Sequence, residues 1–259
     1  MHNFCTNTLF VGKKVVYLPT CLSTNTEAVN LAVSGNIPEG TVVYTSDQTA
    51  GRGQRGNGWE SAPDKNLTLS LVLYPKFLLA REQFKLNMAI SLAIHDCIGH
   101  ATGIYPKVKW PNDIYVKEEK LTGILIENYL KGHHINYSVI GIGLNVNQVD
   151  FSTPTATSIA NMTGKQFNLY RLMESLLENI EKRYLQLKAG KDDLLKTEYL
   201  QALFWYQEEH TFAEACPDGS FNEFTGVILG VDPHGKLVLK TPWGFKEYGF
   251  KEVKFMIGK

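Results

Sequence analysis

Residues 41–74 read TVVYTSDQTAGRGQRGNGWESAPDKNLTLSLVLY. The runs at 41–46 and 66–74 are rich in β-branched and aromatic residues and predict two strands. Between them, Gly51-Arg52-Gly53-Gln54-Arg55-Gly56 has the G-x-G-x-x-G spacing of a dinucleotide-binding turn, and a strand precedes it. Such a turn must open a helix whose N-terminus holds the pyrophosphate. Here Gly58 and Pro63 follow within a few residues and Asn66 begins a strand, so a doubly wound parallel sheet is not supported. Strands adjacent in sequence predict a mixed α+β layout instead. The nine residues ending at Trp59 hold four glycines, two arginines and no acid. They form either a flexible hairpin or a loop of accessible N–H groups and guanidinium charge for phosphate or carboxylate oxygens, with Trp59 to cover an apolar ligand.

Toward the N-terminus, Ser23-Thr24-Asn25-Thr26-Glu27 predicts a helix start, with Thr24 and Glu27 at capping-box spacing and Gly35 as the stop. Toward the C-terminus, Phe84, Ala89, Ile90, Ala93, Ile94, Cys97 and Ile98 fall on one helical stripe ending at Gly103. Strands are expected near 107–110, 114–116, 121–129 and 135–146, and helices over 169–187 and 194–205. Short β segments follow at 211–215, 224–229, 236–240 and 245–249, separated by turn residues. The expected division is a large mixed domain over residues 1–208 and a small all-β domain over residues 209–259.

In the strand at 135–146, period-2 alternation puts Ile140, Ile142, Leu144 and Val146 on one face, which reads as core. Gly141, Gly143 and Asn145 share the other. Two glycines there leave room either for something bulky to approach the backbone or for a helix to pack. Lys109-Trp110-Pro111-Asn112-Asp113 gathers a cation, an amide and a carboxylate around a proline, or is a turn with an Asx hydrogen bond. Lys120, at the end of the charged turn 117–120, is a solvated hairpin lysine or part of the same site. Residues 230–236 have Walker A spacing but lack its Ser/Thr, and read as a hairpin turn. The histidines are scattered apart from His133-His134, which is poor ligand geometry, and no Ser-His-Asp or Cys-His arrangement can be argued.

With 44% hydrophobic and 20% charged residues in 259, the chain is neither disordered nor membrane-spanning. Lys plus Arg and Asp plus Glu are 26 each, so no chain-wide charge favours nucleic acid or an acidic membrane. The dispersed cysteines Cys5, Cys21, Cys97 and Cys216 predict reduced thiols, and no signal peptide is read, so the expected location is the cytoplasm.

Taken in order and spacing over residues 17 to 160, these motifs strongly resemble those of biotin protein ligases: Ser23-Thr24-Asn25, Gln48, Gly51 to Gly56 with Trp59, Lys109 to Asp113, Lys120-Leu121-x-Gly123-Ile124-Leu125, and Gly141 to Asn147. Gln54 and Asn57 stand where many relatives have basic residues. The resemblance implies a catalytic domain related to class II aminoacyl-tRNA synthetases and lipoate ligases, followed by a small β-barrel. It implies ATP, Mg²⁺ and biotin as reactants, with biotinyl-5′-AMP formed first and then used to acylate one lysine of a biotin carboxyl carrier protein. By that resemblance Ser23, Thr24, Asn25, Gln48, Gly51, Arg52, Gly53, Gln54, Trp59, Lys120 and Gly123 bind biotin. Arg52, Arg55, Asn112, Asp113, Lys120 and Asn145 bind the nucleotide, Lys120 and Arg52 offset charge in catalysis, and Asp113 neighbours the Mg²⁺. The loop over residues 51–59 would order over the adenylate and shield it from water. Alternation would separate Lys120 from Gly123, so a bulge, or a strand starting after Lys120, is expected. Only 22 residues precede Ser23, too few for a DNA-reading domain, which predicts a ligase that binds no DNA and no membrane and admits a homodimer. A lipoate ligase and a non-catalytic biotin sensor are the alternatives.

Overall fold

A computed structural model describes residues 6–35, 37–53, 58–216 and 219–258. Strands β1 (Val15–Cys21), β2 (Thr41–Gln48), β3 (Leu67–Leu73), β4 (Lys107–Lys109), β5 (Asp113–Val116), β6 (Glu119–Lys131) and β7 (His134–Leu144) form one sheet. Their order is β1-β2-β3-β7-β6-β5-β4, and only the β1–β2 pair is parallel. β2 and β3 pair antiparallel, Thr41 opposite Val72 and Thr45 opposite Thr68. The glycine-rich run therefore joins two neighbouring strands, as its sequence context requires.

The two faces of this sheet do different things because successive residues alternate between them. Leu69, Leu71, Ile140, Ile142 and Leu144 are fully or almost fully buried in the main core, beneath α2 (Gln83–Thr102). α2 in turn packs on α4 (Leu169–Lys188) and α5 (Asp192–Ala202). On the opposite face, α1 (Thr24–Val33) sets Ala28 against Val43, Val72 and Val139 in a smaller cluster. A further short helix, α3 (Ile159–Thr163), follows β7. The functional face is the one carrying α1.

A second, antiparallel sheet holds β8 (Glu209–Ala215), β9 (Phe221–Val231), β10 (Leu237–Thr241), β11 (Gly244–Tyr248) and β12 (Val253–Phe255), in the order β11-β10-β9-β8-β12. The Walker-like run is the β9–β10 hairpin, where Asp232 Oδ1 accepts from the N–H groups of His234 and Lys236. This sheet is seated firmly: the Trp110 indole donates to the Gly235 carbonyl at 2.8 Å, and Phe84 fills the space beside Gly235. No described helix is long and apolar enough to cross a membrane.

Local readings needed three corrections. Ser23, not Thr24, caps α1, and no side-chain capping bond forms, because the Thr24 hydroxyl is turned toward Gln48 and Ser70. α5 ends at Ala202, where Leu203 is extended, rather than continuing to Trp205. β7 ends at Leu144, since the next N–H groups, of Asn145 and Val146, go to Leu121 and Asn66. β1, α3 and β12 were not anticipated. β1 contains Pro19, which an edge strand tolerates, and the other two are too short to show a period.

One buried ionic cluster ties the helices together. Arg183 of α4 reaches Asp96 of α2 at 2.7 Å and also pairs with Glu198 of α5. Burial alone would raise the Asp96 pKa, but hydrogen bonds and charge from His95 and Arg183 outweigh it and hold the carboxyl below its ordinary value. That contribution is complete above the unfolded carboxyl pKa of about 4 and is lost as pH falls through the lower folded value. Arg183→Met is expected to cost about 3–5 kcal/mol in urea unfolding at pH 7, because it strands a buried carboxylate. The deficit relative to the wild type should shrink as the pH falls from about 5 toward 2; a constant deficit contradicts the assignment.

Candidate active site

The site is built on a glycine pair. Gly123 of β6 lies directly opposite Gly143 of β7, and the Trp59 indole rests on both. A Cβ at Gly123 would come within 2.9 Å of Trp59 Cζ3, and one at Gly143 would collide with the indole. One step along, a Cβ at Gly141 would collide with the Asn25 amide of α1. Both readings of the glycine face therefore hold at once: a helix packs on Gly141, and a loop tryptophan packs on Gly143. The surrounding cavity is about 600 Å³, within the range of small-molecule sites. The Trp59 indole N–H is buried without a hydrogen-bond partner among the described residues.

One end of the cavity is an amide and hydroxyl cluster. Ser23, Thr24 and Asn25 open α1, and Gln48 closes β2. Gln48 Oε1 accepts from the Thr24 N–H at 2.9 Å. The Ser70 hydroxyl donates to Asn25 Oδ1 at 2.6 Å and lies 2.8 Å from the Thr24 hydroxyl. Asn25 Nδ2 donates to Glu127 at 2.7 Å. Ser70 and Glu127 were not read as site residues from the sequence. The only signal available was that Ser70 shares a sheet face with Gly141, its register partner.

The other end is cationic. Lys120 Nζ pairs with Asp113 Oδ1 at 2.8 Å and stands 5.7 Å from the Trp59 ring centre. The expected bulge is present: the register shifts between Ile114, opposite Thr122, and Tyr115, opposite Lys120. Leu121 is the extra residue, and both Lys120 and Gly123 line the cavity. Asn112 also lines it, with Nδ2 donating to the Ile124 carbonyl. Lys109 stands 4.9 Å from the Phe255 ring centre and 5.2 Å from that of Tyr115. Burial lowers its ammonium pKa, with Asp113 opposing and Lys120 adding to the shift. Asn145 sits behind the wall, buried, with Nδ2 on the Thr157 carbonyl. Arg52 lines the cavity too, but its guanidinium lies 3.6 Å from Glu127, at the amide end.

At the neck of the loop the backbone N–H of Trp59 donates to the Gly51 carbonyl, and the backbone of Arg52 bridges to Gly58. Gly51 packs on Trp59 and Gln48, and Gly53 lines the cavity. Gln54 and Arg55, and the ordering expected of residues 54–57, lie outside the described residues. The second sheet completes the wall with Phe221, Phe250, Lys251, Val253, Lys254 and Phe255. None of these has a role in the sequence reading. Among the described residues, five cations and one acid line the cavity.

No group of three or more His, Cys, Asp or Glu side chains among the described residues could hold a metal ion. Asp113 is the single acid among the described lining residues and is engaged with Lys120. One carboxylate already paired with an ammonium does not supply the oxygen donors of a protein-built magnesium centre, so a magnesium ion here would need oxygen ligands from elsewhere.

The model of the biotin/lipoate A/B protein ligase family matches residues 18–145. The bifunctional ligase/repressor BirA of Bacillus spizizenii is 31% identical over 250 residues, which is 94% of this chain and 74% of that protein. The biotin–[acetyl-CoA-carboxylase] ligase of Mycobacterium tuberculosis is 31% identical over 84% of this chain and 79% of its own length. The chain belongs to the biotin protein ligase family. Among solved structures, the biotin protein ligase of Aquifex aeolicus in complex with biotin and ATP superposes with a TM-score of 0.77 at 26% identity, over 93% of this chain and 98% of that one. The mixed sheet with helices and a C-terminal antiparallel sheet is thus the architecture of this family.

In this member of the biotin protein ligase family, the Gly123–Gly143 floor makes a direct prediction. Gly143→Val should displace Trp59 and cost about 1–3 kcal/mol in urea unfolding. Its tryptophan emission, compared with that of a Trp59→Phe protein, should shift to the red as the indole becomes wetter. An unchanged Trp59 contribution contradicts the stacking.

Proposed function

We propose that the chain is an ATP-dependent biotin protein ligase that activates biotin as biotinyl-5′-AMP and transfers it to a lysine of a biotin carboxyl carrier protein. The observation that carries this reading is the polarity of the cavity. An amide and hydroxyl cluster fills one end, while Lys109, Lys120, Lys251 and Lys254 crowd the rest around one acid. Family membership supplies the substrate class.

A neutral ureido ring presents two N–H donors and a carbonyl acceptor, which hydroxyls and amides match. Ser23, Thr24, Asn25 and Gln48 form that matching set. Lipoate, whose ring offers no such groups, would leave unsatisfied the hydrogen-bonding capacity that these side chains do not spend on one another and on Ser70 and Glu127, at about 1–3 kcal/mol per buried group. This disfavours the lipoate ligase reading, which the family name alone leaves open.

In the first step a biotin carboxylate oxygen attacks the α-phosphorus of ATP, the bond to the β-phosphate oxygen breaks, and pyrophosphate leaves. The barrier is repulsion between two anions. Lys120, on the cavity-facing side of β6, offsets the charge gathering on the carboxylate and α-phosphate oxygens, and Lys109, Lys251 and Lys254 attract the triphosphate. Magnesium bound to the nucleotide supplies further charge neutralisation. In the second step the neutral amine of the carrier lysine attacks the acyl carbon, AMP leaves with the bonding pair, and the amine gives its proton to solvent. No side chain of the enzyme forms a covalent intermediate.

The same proposal places the enzyme in the cytoplasm and divides the chain into a catalytic domain over residues 1–208 and a β domain over residues 209–259. Lys120→Ala is expected to reduce biotin-dependent pyrophosphate release at least about 100-fold, with a thermal midpoint close to that of the wild type. Near-wild-type release overturns the role of Lys120, and a wild type that releases pyrophosphate with lipoate but not with biotin overturns the function.

A further inference from the structure

Glu127 has no part in the reaction as written, yet it contacts two residues that line the cavity, Asn25 and Arg52. It stands on β6 seven residues beyond Lys120, a strand distance of about 23 Å. Its Oε2 accepts from Asn25 Nδ2 at 2.7 Å and lies 3.6 Å from Arg52 Nη2. An ionised carboxylate can only accept, so the amide edge facing it is the NH₂ group, which turns Asn25 Oδ1 toward Ser70 and Gly141.

We propose that Glu127 is a positioning residue that fixes the Asn25 amide and serves as the exchangeable resting partner of Arg52. The exchange half of this inference rests on the ligase reading. The pair is about half exposed on the arginine side, and pairs of this kind shift an equilibrium by a factor of only about two to five. A phosphate or acyl phosphate offers a guanidinium a stronger, bidentate partner. Arg52 is therefore held off the cavity centre until an anionic ligand competes for it. Glu127 keeps Asn25 when Arg52 leaves, so the amide end retains its hydrogen bonds through the exchange.

Glu127→Gln separates the two roles, because glutamine still accepts from Asn25 but carries no charge. In the protein alone, phenylglyoxal modification of Arg52, located by fragment mass spectrometry, should be about two- to five-fold faster in Glu127→Gln than in the wild type. Equal rates overturn the resting pair. With biotin and ATP supplied, release of biotinyl-adenylate should slow by a similar factor in Glu127→Gln. It should not differ between Arg52→Ala and the Arg52→Ala/Glu127→Gln double variant. Faster release, or the same change in both backgrounds, overturns the exchange. Glu127→Ala should raise the KM for biotin about ten-fold or more with a smaller change in kcat, and Glu127→Gln should restore it; no rescue overturns the Asn25 role. A wild type that makes no biotinyl-adenylate overturns the ligase reading and with it the exchange, while the modification rates still decide the resting pair.

Discussion

The site depends on a packing constraint: two glycines face each other across β6 and β7, and an indole lies on them. Any side chain at Gly123 or Gly143 would lift Trp59 off the sheet. That would open the loop neck, since the backbone N–H of Trp59 holds the Gly51 carbonyl. Gly141, two residues before Gly143, does the same for α1 by leaving room for the Asn25 amide. Both walls of the cavity are thus positioned by missing β-carbons on one face of one strand, while the other face of that strand belongs to the main core.

Charge is handled locally. The chain is neutral, but its cavity is not, and two of the cations that line it have an acid beside them. Lys120 is paired with Asp113 and Arg52 with Glu127, with Lys120 and Glu127 seven residues apart on β6. Such pairs hold long, flexible side chains near their working positions at little cost in stability, and a polyanionic substrate can outcompete them.

Much of this was legible in the sequence where one residue type has one physical reading. The failed dinucleotide turn at Gly51 to Gly56 excluded a parallel sheet because Asn66 follows too soon for a helix. The clash between Lys120 and Gly123 under strict alternation demanded a bulge, and Leu121 supplies it. Glu127 and Ser70 stayed hidden because an acid or a serine in a strand reads as a solvated or neutral residue until the register places Ser70 opposite Gly141 and the packing of α1 brings Asn25 to Glu127. Lys251 and Lys254 stayed hidden because what brings them to the cavity is the seating of one sheet on another, through Trp110 and Gly235, which leaves no local pattern. Thr24 misled because its hydroxyl serves the cavity rather than the helix cap.

The central claim is that the amide end of the cavity recognises a ureido ring. Calorimetric titration of the chain with biotin and, separately, with lipoate tests it most directly. The account predicts saturable, one-to-one heat with biotin and none with lipoate at the same concentrations. Saturable binding of lipoate with no heat from biotin would contradict it.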